Sequence, residues 1–372
     1  MRHDLKYLIA YLLPASALLA VVQGGFYAPA TVYLAFVLLP VSEGLLLPKS
    51  TWNHPPESEA SRLSLRFFDV LLYLNVPLLY GILGLFFYNL SIGSYDSGWE
   101  IAGIVLSCGI LAGTTGINVA HELGHRHTPF ERFLAKSLLL PSLYVHFIIE
   151  HNLGHHKHVA TDADPASARL NETVYAFWLR STVGSYASAW RIENALAKRS
   201  ARPFWRHRMV QATALQFCYL GGIALLFGPL ATLCAVLVAV GGFLNLETVN
   251  YIEHYGLRRT QLASGRYEPV RPRHSWNSNH EVGRIFLYEL TRHSDHHFKA
   301  TRKYQVLRHF EESPQLLFGY PGSMLLALVP PLWFRVMNRR LGNYWEAMGV
   351  QHPVSGGVPE VRTSASTQKF EV

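Results

Sequence analysis

The chain has 372 residues, 49% of them hydrophobic and only 16% charged, with a formal net charge of +8. The apolar residues come in runs long enough to cross a bilayer, which excludes an ordinary soluble domain, and the basic residues gather in the loops between runs, which removes nucleic acid as their explanation. Cys108, Cys218 and Cys234 all lie inside apolar runs, as small buried hydrophobes rather than a disulfide set, and the lack of a CxxC pair and of a GxxxxGK[ST] loop argues against a fused iron–sulfur module and an ATP-driven pump.

In chain order, the first apolar run covers 5–22, with Arg2 ahead of it and Lys6 at its start. Ala15-Ser16-Ala17 resembles a signal-peptide cleavage site, but a second run at 26–47 follows after a very short break, as in two antiparallel spans joined by a tight turn. A polar stretch at 48–69 carries Lys49, Arg62 and Arg66. Runs at 70–90 and 99–120 follow, then 210–227 and 230–249, the last two separated by Gly228-Pro229. The expected fold is all-α: a polytopic membrane protein of six transmembrane helices, with residues 1–350 forming one catalytic domain. The Gly/Ser/Pro/Thr-rich segment 351–372 reads as a disordered tail.

The connections at 23–25, 91–98 and 228–229 contain no Lys or Arg, whereas the N-terminus and the intervening segments are basic. The positive-inside rule then places both termini in the cytoplasm, as for a bacterial inner-membrane protein. Leu134 to Ile149 joins two histidine-rich stretches that must meet on one side, so it is expected to be re-entrant or interfacial. The segment 316–337, broken by Tyr320-Pro321-Gly322 and Pro330-Pro331, is expected to be an interfacial helix or hairpin.

Eleven of the 19 histidines fall in four stretches, 121–127, 150–158, 250–256 and 292–297, all on the cytoplasmic side of that topology. His121 and His125 are four residues apart, on one helical face; His151 and His155 repeat the spacing beside His156; His293, His296 and His297 follow i, i+3, i+4; His254 lies just past the sixth run. Four helix ends could thus deliver nine imidazoles to one point. Nine nitrogens are too many for one ion and suit two, and neutral imidazoles leave the metal charge uncompensated. Glu122, Glu150, Glu253 and Asp295, one in each stretch, are the candidates to compensate it and orient the rings. His127 and His158 adjoin the clusters at helical spacing, and their role stays open.

HELGH also fits HExxH, the zinc-protease motif with Glu122 as base, but that motif needs one further ligand and leaves most of the clustered histidines unexplained. A histidine-rich metal transporter would carry its ligands near the bilayer midplane, whereas these sit at span ends.

These residues resemble the integral-membrane alkane hydroxylases, within the desaturase/hydroxylase-like histidine-box superfamily. The family's HELxHK, EHxxGHH with VAT…DPASA, NYxEHYGL and QRHSDHH correspond to HELGHR, EHNLGHH with VATDADPASA, NYIEHYGL and TRHSDHH, in the same order. HSWNSN at 274–279 and RKYQVLRHF at 302–310 look like its flanking segments. Arg126 stands for the usual Lys, and Thr291-Arg292 for Gln-Arg. The resemblance implies a non-haem centre of two iron ions, held by His121, His125, His151, His155, His156, His254, His293, His296 and His297. It also implies dioxygen as co-substrate, terminal hydroxylation of medium-chain n-alkanes to primary alcohols, and electrons from rubredoxin and a rubredoxin reductase. An n-alkane has no polar handle, so its recognition requires an apolar tunnel, which lipid-dissolved substrate could enter sideways. A xylene-type methyl-group monooxygenase and a fatty-acyl desaturase share such boxes; NYIEHYGL and HSDHH favour the alkane reading.

Overall fold

In the computed structural model, residues 2–45 and 49–349 are described. The expected tail at 351–372 and the last residues of the second run lie outside them. The fold is all-helical, and among the described residues the β-structure is confined to three isolated bridges. In chain order the main helices are α1 (Asp4–Gln23), α2 (Ala30–Gly44), α3 (Arg66–Ser91), α4 (Gly98–Gly124), α5 (Pro129–Leu139), α6 (147–158), α7 (Val174–Arg199), α8 (Arg208–His254), α9 (His293–Phe298), α10 (Tyr320–Ala327) and α11 (Pro330–Ala347).

Four helices are long and apolar enough to cross a membrane, namely α1, α3, α4 and α8, while α2 is apolar but shorter. A straight α8 of 47 residues would reach about 70 Å, more than twice the hydrocarbon thickness of a bilayer. It is not straight. Gly228 takes φ 83°, ψ −178°, a conformation that L side chains rarely adopt, and Pro229 removes the next backbone donor. The two arms fold back on each other: Ala212 on the first lines a groove with His125, while His254 ends the second beside His293. The Gly228-Pro229 break thus makes two apolar arms of one helix, each long enough to span.

The three connections without basic residues meet at one end of the bundle. Gly25 N–H donates to Glu100 (2.7 Å), Asn89 donates to the carbonyl of Val21 (3.3 Å), and Phe87 touches Phe227 with ring centroids 6.2 Å apart. All four histidine stretches lie at the other end. Small residues set the packing between. A Cβ on Gly109 would stand 3.2 Å from Gly241 Cα, so α4 and the second arm of α8 are in backbone contact there. Around that seam Leu72, Leu79, Phe86, Ile104, Leu111 and Ala235 form one buried apolar core.

The segment after His125 turns back into the bundle. Thr128 caps α5 by accepting from Glu131 N–H (3.1 Å), and Pro129 occupies the first helical position, where its missing N–H is harmless. The chain then descends beside α3, with Tyr73 bonded to Glu131 and Tyr80 to the carbonyl of Ser137. It reaches Gly116 and Gly242 and reverses at Leu143, whose φ is 50°. α6 climbs back to the histidine end. α10 and α11 form a helical hairpin there, with Trp333 and Met337 packed on Tyr251 and Tyr255.

The 26-residue α7 answers to no element expected from the sequence. Its buried face is Phe177, Ser181, Ser185, Ala189 and Glu193, spaced by four but mostly small or polar, so no apolar stripe marks it. Its partners are polar as well: Trp178 donates to Thr248 (3.0 Å), and Glu193 pairs with Arg202 and Arg208.

Candidate metal centre

The nine histidines converge from the end of α4, from α6, from the end of α8 and from α9. They form two groups. His121, His125, His151, His156 and His296 make one; His155, His254, His293 and His297 make the other; within each, the nitrogens lie within 4.8 Å of one another. Sequence spacing places His151 and His155 on one face, and here the structure departs from it. Residues 151–155 form a π-type turn, wider by one residue, so His151 and His156 point into the first group and His155 into the second. α9 divides likewise, with His293 and His297 together and His296 across from them.

The nitrogens are arranged as ligands around common points. His125 Nε2 lies 3.1 Å from His151 Nε2, which is 3.0 Å from His156 Nε2, itself 3.1 Å from His296 Nε2. In the second group the Nε2 separations are 3.2 Å for His155–His297, 3.2 Å for His254–His293 and 2.8 Å for His293–His297. Imidazoles bound about 2.1 Å from a shared ion, at tetrahedral to right angles, stand about 3.0–3.4 Å apart. His121 Nε2 is buried and has no hydrogen-bond partner, which suits a ligand aimed at an ion. The residues fit a pair of metal ions.

Burial, and after it the neighbouring imidazoles, hold His151, His156, His293, His296 and His297 well below the ordinary 6.5, and His125 is pushed down to about 4. They are therefore neutral, the form that ligates. His155 differs. Burial pushes it down, but the Asp164 carboxylate more than reverses this, so its net shift is upward.

Asp164 is the residue that sequence reasoning missed. Its Oδ2 accepts from His155 Nδ1 (2.9 Å) and from Ser167 Oγ (2.6 Å), and its Oδ1 from Ala166 N–H (3.1 Å). That leaves His155 Nε2 free to face the second group. The available signal was Asp164-Pro165-Ala166-Ser167, where an Asp side chain caps its own following turn.

The four acidic residues proposed from sequence have different surroundings. Glu253 Oε2 lies 3.2 Å from His293 Nε2, the nitrogen that faces the other imidazoles of the second group, and its Oε1 accepts from Tyr320 OH (2.6 Å). Glu122 accepts from Arg126 (2.7 Å) and from Tyr304 N–H (3.2 Å). Asp295 accepts from Arg302 (2.7 Å) and from Arg308 N–H (2.7 Å). Both tie the 302–308 segment beneath the centre, and no described contact joins either to an imidazole nitrogen. Glu150 lines a small cavity with Tyr144, His146, Glu247 and the rings of His151 and His155, and burial, then the Asp164 charge, pushes it up to about 8. His127 is exposed, and neither it nor His158 belongs to either group.

A narrow cavity opens onto both groups. His121 and His151 line it from the first, and His293, with Glu253 beside it, from the second. It runs between α4 and α8 to Gly113, eight residues before His121 and so about 12 Å deeper along the helix. Its wall is mixed: Leu246, Val249, Leu287 and Leu290 are apolar, Thr114 and Asn245 polar.

Apolar helices long enough to span a membrane, with a paired imidazole site at one end, define an integral membrane protein of the two-metal, histidine-rich class. The family described as fatty acid desaturase matches residues 97–337, which include all nine histidines. The chain is 40% identical to an alkane 1-monooxygenase of Pseudomonas putida (79% of this chain, 73% of the relative) and 41% identical to that of Ectopseudomonas oleovorans (76% and 71%). It is also 40% identical to alkane 1-monooxygenase 1 of Alcanivorax borkumensis (81% and 74%). The chain belongs to the fatty acid desaturase family and, within it, groups with the alkane 1-monooxygenases.

Proposed function

We propose that the chain hydroxylates the terminal carbon of medium-chain n-alkanes, with two iron ions held by the nine histidines. The net reaction is RH + O2 + 2 e− + 2 H+ → ROH + H2O. The carrying observation is the pair of buried imidazole groups opening on one cavity, in a chain about 40% identical to alkane 1-monooxygenases over most of its length. Rubredoxin, reduced by its reductase, is the proposed electron donor. The histidine end faces the cytoplasm of an inner membrane crossed six times, by α1, α2, α3, α4 and the two arms of α8.

The irons, when bound, supply dioxygen activation and oxygen-atom transfer to the C–H bond. The chain's own residues do the rest. Asp164 fixes His155 as the Nδ1–H tautomer, and Tyr320 holds Glu253 beside His293. Helix backbone and buried apolar side chains keep bulk water from the centre. The cavity between α4 and α8 limits how an alkane, which has no group to anchor it, can present its end.

The geometry weakens the zinc-protease alternative. His121 and His125 share their group with three further imidazoles, and Glu122, the base in that reading, is tied to Arg126 and Tyr304. The test is metal content by mass spectrometry on purified protein, with product analysis from a medium-chain alkane plus rubredoxin, reductase and NADH. About two irons per chain and a primary alcohol are expected; about one zinc and no oxidation would overturn the proposal.

A further inference from the structure

A groove of about 860 Å³, separate from the cavity between α4 and α8, runs between α5 and the first turns of α8. Its floor is apolar, with Val145, Ile148, Phe133 and Leu215. Basic residues also line it, and no Asp or Glu does. Arg126 and Arg208 are paired, with Glu122 and Glu193. Arg132 and Lys136 are not. They are exposed, four residues apart on one face of α5, and among the described residues their side chains have no ion-pair or hydrogen-bond partner. The adjoining segment carries Lys198, Arg199 and Arg206 with Phe204 and Trp205 exposed by 74% and 72%, the aromatic and basic mixture of a membrane interface.

We propose that this groove binds an anionic phospholipid, its phosphate between Arg132 and Lys136 and an acyl chain along the floor. Depth and charge together select this occupant. Leu215 lies seven residues past Arg208, about 10 Å further along a helix that enters the apolar bundle, beyond the reach of a water-soluble partner. An alkane would fill the floor but leave two unpaired cations unused. His125, a member of the first imidazole group, forms part of the wall, so an occupied groove also buttresses the turn between α4 and α5.

The test is native mass spectrometry on the full chain in detergent, titrated with dioleoyl phosphatidylglycerol or dioleoyl phosphatidylcholine. One phosphatidylglycerol is expected to bind in preference. Each cation near an anionic lipid is worth roughly five-fold in affinity, so R132Q/K136Q weakens phosphatidylglycerol by roughly 30-fold and leaves phosphatidylcholine unchanged. R132K/K136R retains the preference. Neither side chain holds another in the fold, so unaltered helical circular dichroism is expected in both variants. Equal affinity for the two lipids, or a preference that survives R132Q/K136Q, overturns the proposal. So does a variant that binds lipid normally yet loses electron transfer from a soluble acidic donor, which would assign the rim to that protein. The lipid titrations do not depend on which metal the histidines hold.

Discussion

Asp164 offers the sharpest test of how the chain holds its metal. It is the carboxylate found on an imidazole Nδ1, and its side chain is wholly inaccessible to solvent. Removing an outer partner of a ligating histidine weakens metal binding or activity by about 10- to 100-fold, or roughly 1.4–2.7 kcal/mol. D164A belongs at the upper end, because three donors lose their acceptor where no bulk water can replace it. D164N keeps an oxygen that can accept from Nδ1 while losing the charge, so a loss nearer ten-fold is expected. The assay is iron retained per chain against increasing chelator, with alcohol formed from n-octane measured in parallel. The ion of the His155, His254, His293 and His297 group should leave first, while the five-imidazole group keeps its own. Retention of both ions at wild-type chelator concentrations would refute the reasoning, and so would their loss together, which would mean local unfolding instead.

Two further predictions follow from the helix seam and from the loop over the centre. A Cβ at Gly113 would stand 2.9 Å from Asn245 side-chain atoms, so G113A pushes that amide into the cavity below His121. The product profile from a mixture of n-alkanes should shift to shorter chains, and an unchanged profile would mean that the cavity does not hold substrate. Glu268 fastens the 259–274 loop. Burial alone would raise its carboxyl, but bonds from His274 and Thr260 N–H and the Arg273 charge outweigh it and lower the value from 4.5 to about 2. A depressed carboxyl stabilises fully above its unfolded value, so amide-exchange protection of the loop should hold above pH 4.5 and fade as pH falls toward about 2. E268Q should abolish that dependence, and a loop equally protected across the window would refute the assignment.

The sequence by itself determined the helical class, the apolar runs and the nine histidines, because each is a local property. A span needs only enough consecutive apolar residues, and an imidazole at a helix end declares itself by spacing. Gly228-Pro229 was equally legible, since few pairs reverse a helix so reliably. How the histidines divide was a tertiary matter. An ordinary helical register pairs His151 with His155, and only the π-type turn, packed against α7, sends them to different imidazole groups. The hydrogen-bond partners were hidden for the same reason. Glu122 and Asp295 sit beside ligands in the chain but point to Arg126 and Arg302, while Asp164, nine residues from His155, folds back onto its ring. α7 left no trace as a helix because its buried face is small and polar, and such a face is recognised only by what packs on it. Adjacency in sequence fixes which residues are near the centre; the direction of each side chain is set by the neighbours that folding brings.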